Sequence, residues 1–202
     1  MGGPTSTAGY GEAADQLALQ YEAVTFTEVH REVLHLLPAS PGTVLDVGAG
    51  TGRDAAALAA LGHRVVAAEP TTELRRIGRR LHAGSGVHWV DDALPGLPRL
   101  GAGEDRFDAV LLTAVWMHLS AEERPPAMEA LAGLLAPAGR LFLTLRHGPV
   151  PPGRRMFDVS ADETVELART RGLDLLLRTG RADLHGRTDV RWTVLAFRNG
   201  PA

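Results

Sequence analysis

Short apolar runs alternate with helical patterns from residue 43 almost to the end of the chain. Seven runs predict strands: Thr43–Val47, Arg64–Ala68, Val87–Val90, Phe107–Thr113, Arg140–Arg146, Leu173–Leu177 and Arg191–Phe197. The first, fourth and fifth runs are nearly continuous in Val, Leu and Phe, which is typical of strands buried on both faces of a parallel sheet. The pattern therefore predicts an α/β fold built on a mostly parallel sheet.

Helical patterns between the strands predict the crossover connections that a parallel sheet needs. Four segments have room for at least two helical turns: Arg53–Leu61, Thr72–His82, Pro125–Leu135 and Asp162–Arg171. The sequence from Ser160 to Glu163 is a capping box at the start of the fourth segment, and Gly172 is placed to end it. The repeated alternation of strand and helix predicts an open, doubly wound sheet with helices on both faces.

The two ends of the chain depart from this alternation. Only the polar stretch RTGRADLHGRTDV joins the last two strands, and it is too short for a crossover helix, so it predicts an antiparallel hairpin. Upstream, the segment Glu12–Leu37 carries apolar residues at helical spacing, and two prolines follow it. The chain has neither an internal repeat nor a linker. We therefore predict a single domain over residues 1–202, with an N-terminal helical segment at 1–40 and a core at 41–202.

Composition narrows the chemistry that the chain can perform. Its 202 residues include 21 basic and 24 acidic side chains, for a formal net charge of −3, and neither cysteine nor lysine. The absence of cysteine excludes disulfides, thiolate metal sites and cysteine nucleophiles, and we predict no metal site. The absence of lysine excludes the Schiff base of pyridoxal phosphate enzymes and the phosphate-binding lysine of P-loop proteins.

Charge and hydropathy also bear on partners and location. No apolar run approaches the ~18 residues of a membrane span, and the N-terminus lacks the pattern of a signal peptide. A net negative chain without a basic extension is not expected to bind DNA. We therefore expect a cytoplasmic protein with a small-molecule substrate and no membrane partner.

The sequence TVLDVGAGTGRD, residues 43–54, places three glycines at alternate positions between the first strand and a helix. Gly48, Gly50 and Gly52 remove Cβ atoms where the chain turns and where a ligand can approach backbone N–H groups. The spacing G-x-G-x-G differs from the G-x-G-x-x-G of dinucleotide-binding proteins. On its own, the loop is also compatible with a plain turn that packs a helix against a strand.

Acidic residues follow the next two strands. Glu69 ends the second strand about 20 residues after the loop, where a carboxylate can accept hydrogen bonds from ribose hydroxyls, and Asp92 follows the third. With these residues the chain resembles the class I S-adenosylmethionine-dependent methyltransferases over about residues 40–200. The matching segments, in order, are VLDVGAGTG, VVAAEP, VDDALP, FDAVLLTAVWMHL and LLAPAGRLFLTL.

The resemblance implies a Rossmann-like fold with seven strands, an antiparallel last strand and an N-terminal helical lid over S-adenosyl-L-methionine. It implies that Asp46 organises the methionine end of the cofactor, that Glu69 holds the ribose, and that Asp92 with the Ala93 backbone reads adenine. The residues that we assign to the cofactor are Tyr21, Asp46, Gly48, Ala49, Gly50, Gly52, Glu69, Pro70, Asp92, Ala93 and Thr113. Asp46 is also compatible with a plain helix-capping role.

Methyl transfer needs a general base only when the acceptor loses a proton as it reacts. His118 follows the fourth strand and His147 follows the fifth, at the sheet edge where α/β proteins bind ligands. We therefore predict both histidines as catalytic, although each is equally compatible with a hydrogen bond that only fixes its loop. Arg146, beside His147, is placed to bind an acceptor carboxylate, but we expect it to pair with an acid of the protein itself.

The resulting prediction is a methyltransferase that acts on oxygen or nitrogen of a small molecule. A nicotinamide-dependent oxidoreductase shares the sheet and the ribose acid, but it needs the later third glycine. Nucleic-acid methyltransferases that use an Asn-Pro-Pro-aromatic site are disfavoured because the single asparagine is Asn199. An enzyme that binds S-adenosylmethionine and cyclises its aminobutyl chain, with release of methylthioadenosine, stays open as an alternative.

Overall fold

The computed structural model describes residues 9–200. Its strands are β1 (Thr43–Val47), β2 (Arg64–Ala68), β3 (His88–Val90), β4 (Phe107–Leu112), β5 (Leu135–His147), β6 (Leu173–Ala182) and β7 (Arg191–Asn199). They form one sheet in the order β3-β2-β1-β4-β5-β7-β6. β1 to β5 pair in parallel, whereas β7 pairs antiparallel with both β5 and β6. The predicted seven-stranded, mostly parallel sheet with an antiparallel last strand is confirmed.

Helices connect the strands where the sequence predicts them. Within the described residues they are α1 (Ala14–Glu22), α2 (Phe26–Val29), α3 (Arg53–Ala60), α4 (Thr72–Leu81), α5 (Pro98–Gly101), α6 (Arg124–Leu134) and α7 (Ala161–Arg169). Short 3₁₀ turns lie at Leu34–Leu36 and Trp116–His118. The Ser160 side chain accepts a hydrogen bond from the Glu163 N–H at the start of α7, as its capping sequence predicts.

The N-terminal segment is not one continuous helix. α1 ends at Glu22, and α2 begins only after Thr25. The Thr25 hydroxyl accepts the Glu28 N–H at 3.2 Å, and the Glu28 carboxylate accepts the Thr25 N–H at 2.8 Å. This reciprocal capping box starts a new helix at that position. The apolar spacing of the segment indicates which side packs against the sheet. The capping box sets the residue at which α2 begins.

Strands β5 and β6 are longer than their apolar runs. β6 continues to Ala182 and so includes the first part of the polar stretch RTGRADLHGRTDV, which the sequence predicts to be a connection. It lies at the edge of the sheet, next to β7 alone, and most of its side chains are at least partly exposed. Polar residues are therefore acceptable along it, because an edge strand does not need to be apolar on both faces.

Helical segments pack against both faces of the sheet, so we expect a ligand site at its edges. Side chains alternate along each strand, so Val44 and Leu111 bury against the N-terminal segment and α3, whereas Leu45 and Leu112 bury against the side of α6 and α7. No helix of the described range has the length and apolar character required to span a membrane.

Candidate active site

A cavity of about 630 Å³ opens at the carboxyl ends of the parallel strands. It is lined by the glycine loop after β1, by the residues that follow β2 to β4, by the ends of β5 and β6, and by α1. Open α/β sheets bind ligands at this edge, and the volume lies within the usual range for small-molecule sites. The fold therefore brings most of the predicted site residues to one place.

The glycine loop lies at the floor of the cavity. Gly48 and Ala49 donate their backbone N–H groups to the carbonyl oxygen of Ala68 at 2.8 and 3.1 Å, which ties the loop to the end of β2. Gly50 has a left-handed backbone with φ of +58°, and a Cβ atom there would stand 3.1 Å from the Tyr21 ring. The absence of this side chain lets the Tyr21 ring of α1 approach the backbone of the loop closely.

Glu69 stands beside the loop and is only 4% exposed. One carboxylate oxygen accepts the Gly50 N–H at 2.8 Å, and the other accepts the Thr71 N–H at 2.7 Å. Each oxygen retains a second lone pair that can accept a further hydrogen bond. Burial raises the pKa of Glu69, although the hydrogen bonds from Thr71 and Gly50 oppose that shift. The group is thus fixed in position by the main chain and still able to accept hydrogen bonds from a ligand.

Asp92 also lines the cavity, with Ala93 next to it. Its carboxylate accepts backbone N–H groups from Ala93 and Arg99 at 3.0 Å and from Leu100 at 2.9 Å. These bonds hold the start of α5 against the loop after β3. Asp92 therefore shapes the wall of this part of the cavity, and its contact with an adenine group stays a prediction.

A buried polar cluster lies beneath the glycine loop. Asp54, in the first turn of α3, is 4% exposed and accepts hydrogen bonds from His30 at 2.8 Å, from Arg53 at 2.7 Å and from the Thr113 hydroxyl at 3.0 Å. Burial alone would raise the pKa of Asp54, but His30 and Arg53 outweigh burial and hold it well below its ordinary range. Asp54 is therefore an ionised anchor for three elements of the fold.

Asp46 lies beside this cluster and has the opposite ionisation behaviour. It is 2% exposed near the end of β1 and lines the cavity. Burial and the nearby charge of Asp54 raise the pKa of Asp46 well above its ordinary value. Asp46 thus forms part of the cavity wall, and its helix-capping role stays a prediction. A protonated Asp46 is able to donate a hydrogen bond into the cavity.

Replacing Asp54 by asparagine is expected to lower the free energy of unfolding by about 1.5–3 kcal/mol at pH 7, because hydrogen bonds to an ionised group are lost. The folded-state pKa is depressed, so this stabilisation is present above the unfolded value near 4 and is lost as the pH falls towards the folded value. Urea unfolding of wild type and Asp54→Asn from pH 7 to 3 measures the difference, which should shrink below about pH 4. Asp162→Asn, at an exposed ion pair with Arg178, should cost less than about 1 kcal/mol. A pH-independent difference would contradict the ionised state of Asp54.

His118 faces the other end of the cavity, from the 3₁₀ turn after β4. Its Nδ1 lies 2.7 Å from the carbonyl oxygen of Arg155, and its Nε2 lies 2.9 Å from the Tyr10 hydroxyl. Because a carbonyl only accepts, Nδ1 carries the proton and Nε2 accepts the Tyr10 O–H. Burial lowers the pKa of His118. The imidazole is therefore neutral at physiological pH, with its lone pair turned towards the cavity.

The N-terminal segment covers the cavity, as the predicted lid requires. Tyr10 and Tyr21 both line it. Thr51, in the glycine loop, donates to the Glu22 carboxylate at 2.6 Å, and Arg53 donates to the Tyr21 carbonyl oxygen at 3.0 Å. The cover is thus attached directly to the loop on which the cofactor is predicted to lie.

Two predicted site residues lie elsewhere. Gly52 is not among the residues that line the cavity, since its Cα faces Trp89, and a Cβ atom there would stand 2.6 Å from that indole. His147 lies within β5 rather than after it, and its Nε2 is 2.9 Å from the Thr193 hydroxyl. Successive strand residues point to opposite faces, so Arg146 takes the cavity side and His147 does not. The placement of both residues at the site was wrong.

Gly52→Val is expected to destabilise the fold without changing the cavity. The new side chain would collide with Trp89, and overpacking of this kind costs about 1–3 kcal/mol. Gly84→Val is a matched control, because both glycines have φ of +82° but Gly84 has nothing within 4 Å of its Cβ position. We expect thermal unfolding to give a lower Tm for Gly52→Val than for Gly84→Val, by about 2–4 °C for each kcal/mol. Equal melting temperatures would contradict the assigned packing role.

The remaining predicted residues line the cavity. They are Tyr21, Asp46, Gly48, Ala49, Gly50, Glu69, Pro70, Asp92, Ala93, Thr113 and His118. Sequence reasoning missed the partnership of His30, Arg53 and Asp54, although the last two belong to the glycine-loop segment. The expectation for Arg146 was also wrong, since no ion pair with a carboxylate forms at Arg146 within residues 9–200.

Comparison with known proteins agrees with this geometry. Residues 44–139, from β1 into the start of β5, match the family model of a methyltransferase domain. The chain is 35% identical over 124 residues to a demethylmenaquinone methyltransferase of Clavibacter sepedonicus, a match that covers 60% of this chain and 49% of that protein. It is 32% identical over 134 residues to a protein-L-isoaspartate O-methyltransferase of Stenotrophomonas maltophilia, covering 65% and 54%. The chain thus spans about half the length of the curated relatives it matches.

Solved structures share the whole fold. The 1,6-didemethyltoxoflavin-N1-methyltransferase of Burkholderia thailandensis, with bound 1,6-didemethyltoxoflavin and S-adenosylhomocysteine, superimposes with a TM-score of 0.73 at 21% identity and covers 95% of this chain and 85% of that one. The strand order, the glycine loop with its following acid, and the family match agree with one another. Residues 44–139 of the chain therefore carry a methyltransferase domain, and the chain has the fold of the class I S-adenosylmethionine-dependent methyltransferases.

Proposed function

We propose that this protein transfers the methyl group of S-adenosyl-L-methionine to an oxygen or nitrogen atom of a small molecule. The observation that carries the proposal is that one cavity joins bare glycine backbone, the buried carboxylate of Glu69 and the neutral imidazole of His118. The Burkholderia structure supports a small acceptor, since it holds 1,6-didemethyltoxoflavin beside S-adenosylhomocysteine.

The residues present fit an adenosyl cofactor. Gly48, Ala49 and Gly50 line the cavity with small residues, and each Glu69 oxygen has a further lone pair for a ligand hydroxyl. Asp46 lines the same part of the cavity, and we place it near the methionine end of the cofactor. We propose that Asp92 and Ala93 enclose the adenine and that Thr113 lies near the sulfur. Pro70 and Ala49 complete the walls of that part of the cavity.

When bound, S-adenosylmethionine supplies a methyl group on a cationic sulfur that reacts by in-line displacement. The protein contributes orientation and exclusion of water, which together lower the barrier by several kcal/mol in systems of this kind. The N-terminal cover, with Tyr10 and Tyr21, separates the cavity from bulk solvent on that side. His118 holds its lone pair at Nε2, where it is able to take a proton from the acceptor through or in place of the Tyr10 hydroxyl.

The test begins with cofactor binding and then distinguishes the chemistry. Isothermal titration of the purified protein with S-adenosylhomocysteine should give one site per chain. Incubation with S-adenosylmethionine and a panel of small phenols, carboxylates and amines should release S-adenosylhomocysteine only with particular acceptors. Chromatography separates this product from methylthioadenosine, which would be released by cyclisation of the aminobutyl chain.

Each outcome bears on the assignment. Acceptor-dependent S-adenosylhomocysteine supports methyl transfer, whereas methylthioadenosine that forms without an acceptor would replace the proposal with the cyclisation alternative. Failure to bind S-adenosylhomocysteine, together with a rise in Tm on addition of NADH, would favour a nicotinamide-dependent oxidoreductase. Release of S-adenosylhomocysteine with RNA or protein as the only effective acceptor would overturn the small-molecule assignment.

A further inference from the structure

The charges that line the cavity are unequally distributed. Acidic residues predominate near the loops after β1 to β3, with Arg53 among them, and basic residues predominate near β5 and β6, with Asp183 among them. The carboxylates of Asp46, Glu69 and Asp92 lie at the end formed by β1 to β3, where we place the cofactor. The opposite end, beyond His118, is lined by arginines from β5, from the loop after it and from β6. The acceptor end of the cavity is therefore the cationic one.

Arg146 is the central member of this arginine group. It lies near the end of β5 and is 9% exposed. Among the described residues, the Arg146 side chain makes one hydrogen bond, a long contact of 3.3 Å from Nη1 to the carbonyl oxygen of Gly148. No carboxylate in the described chain forms an ion pair with it, and residues 1–8 contain neither Asp nor Glu. A buried arginine normally has an anionic partner, and Arg146 has none among the described side chains.

Arg154 approaches the same region from the loop between β5 and α7. Its guanidinium carbon lies 3.9 Å above the centre of the Tyr10 ring, and its Nη1 is buried without a hydrogen-bond partner among the described residues. Arg146 and Arg154 are close enough to His118 that the charge of each lowers the pKa of that histidine. Two guanidinium groups thus converge on the position where an acceptor would meet the proposed base.

Two other arginines nearby are neutralised by carboxylates, whereas Arg181 of β6 stacks on the Trp192 ring and has no ion pair among the described residues. Arg187 forms two hydrogen bonds with the Asp183 carboxylate, at 2.9 and 2.7 Å, and Arg155 pairs with Glu123 at 3.0 Å. The charges of Arg187 and Arg155 are therefore balanced within the protein. The free donors of Arg146 and Arg154 are left for a ligand, and guanidinium groups bind carboxylates and phosphates through two parallel hydrogen bonds.

We infer that the acceptor carries an anionic group, a carboxylate or a phosphate, which Arg146 and Arg154 bind at the end of the cavity beyond His118. This inference rests on the proposed function only where it identifies the bound anion as part of the methyl acceptor. The residues of the anion site are in place without the cofactor. A bound anion would offset the charges of the two arginines near His118 and would stabilise the imidazolium that forms when His118 takes a proton. The same contact would thus select the substrate and assist the base.

Matched probes test the anion site directly. Benzoate, phenyl phosphate and benzamide have similar size, and only the last is neutral. At constant ionic strength, isothermal titration of the wild type, with and without saturating S-adenosylhomocysteine, should show at least one of the two anions binding tenfold or more tightly than benzamide. The anion that binds more tightly identifies carboxylate or phosphate as the natural group.

Substitutions locate the preference. Arg146→Met and Arg154→Met should each weaken anion binding tenfold or more and leave the affinity for benzamide unchanged. Arg169→Met, at an exposed ion pair with Glu166 on α7, is the matched control and should bind anions as the wild type does. Two variants are used because Arg146 is buried, and a folded Arg154→Met keeps the test valid if Arg146→Met does not fold.

The results also separate this inference from the proposed function. Benzamide binding as tightly as both anions, no measurable binding of either anion, or full anion affinity in a folded Arg154→Met variant would overturn the anion site. Loss of S-adenosylhomocysteine binding in the wild type would instead overturn the proposed function. Titrations without that ligand report the anion site in either case.

Discussion

Replacing Glu69 by alanine is expected to weaken the binding of S-adenosylhomocysteine by about 100-fold or more. The side chain offers a free lone pair on each carboxylate oxygen, and hydrogen bonds to an ionised acceptor contribute about 1.5–3 kcal/mol each. Loss of two such bonds raises Kd by about 100-fold or more. Isothermal titration at pH 8, where the carboxylate is best ionised, provides the measurement.

The same variant should not unfold the protein. Burial raises the folded-state pKa of Glu69, so the contribution of this group to stability is present below its unfolded value and is lost as the pH rises through the folded one. At pH 8 the ionised side chain therefore opposes folding, and we expect Glu69→Ala to melt close to the wild type. Such residues are retained for function at a cost in stability.

A surface acid provides the control for this result. Glu129→Ala, at an exposed pair between α6 and Arg171, should leave both the Tm and the affinity for S-adenosylhomocysteine unchanged. If folded Glu69→Ala bound S-adenosylhomocysteine as tightly as the wild type, the ribose would not lie at the end of β2. The glycine loop would then have to be assigned to another ligand.

The cofactor end of the site was predictable from the sequence because its residues follow strands directly. Apolar runs mark where β1 and β2 end, and parallel strands end at one edge, so Gly50 and Glu69 are brought together by topology alone. Gly52 has the same chemical signature as Gly50, but it serves the packing of Trp89. A pattern of glycines shows that side chains are excluded, and it does not show what excludes them.

The acceptor end was less predictable because it depends on side-chain direction and on distant segments. Whether Arg146 or His147 faces the cavity follows from the register of β5, and a strand boundary misplaced by one residue reverses that choice. His30 lies 24 positions before Asp54, and no local pattern indicates their hydrogen bond. Tyr10 likewise reaches His118 across 108 positions of sequence. These contacts come from packing of the N-terminal segment, which has only a general amphipathic pattern.

His118→Ala is expected to lower kcat by about 10²–10⁴-fold for an acceptor that loses a proton, which is the usual contribution of a positioned general base. The affinity for S-adenosylhomocysteine should be unchanged, because His118 lies at the opposite end of the cavity from Glu69. Steady-state kinetics with an acceptor that produces S-adenosylhomocysteine, combined with titration of the cofactor product, separates the two effects. His147→Ala is the control, and it should keep full turnover because its imidazole bonds Thr193 away from the cavity.

The dependence of kcat/KM on pH distinguishes a base from a residue that only supports the loop. Burial lowers the pKa of His118, so the neutral form persists to a pH below the ordinary value near 6.5, and the acid limb of the profile should lie below that value. Tyr10→Phe removes the hydroxyl that bonds Nε2 but keeps the imidazole. It should retain the acid limb, whereas His118→Ala should abolish it. An acid limb that survives in His118→Ala would assign the titrating base to another group and leave His118 a structural role at Arg155.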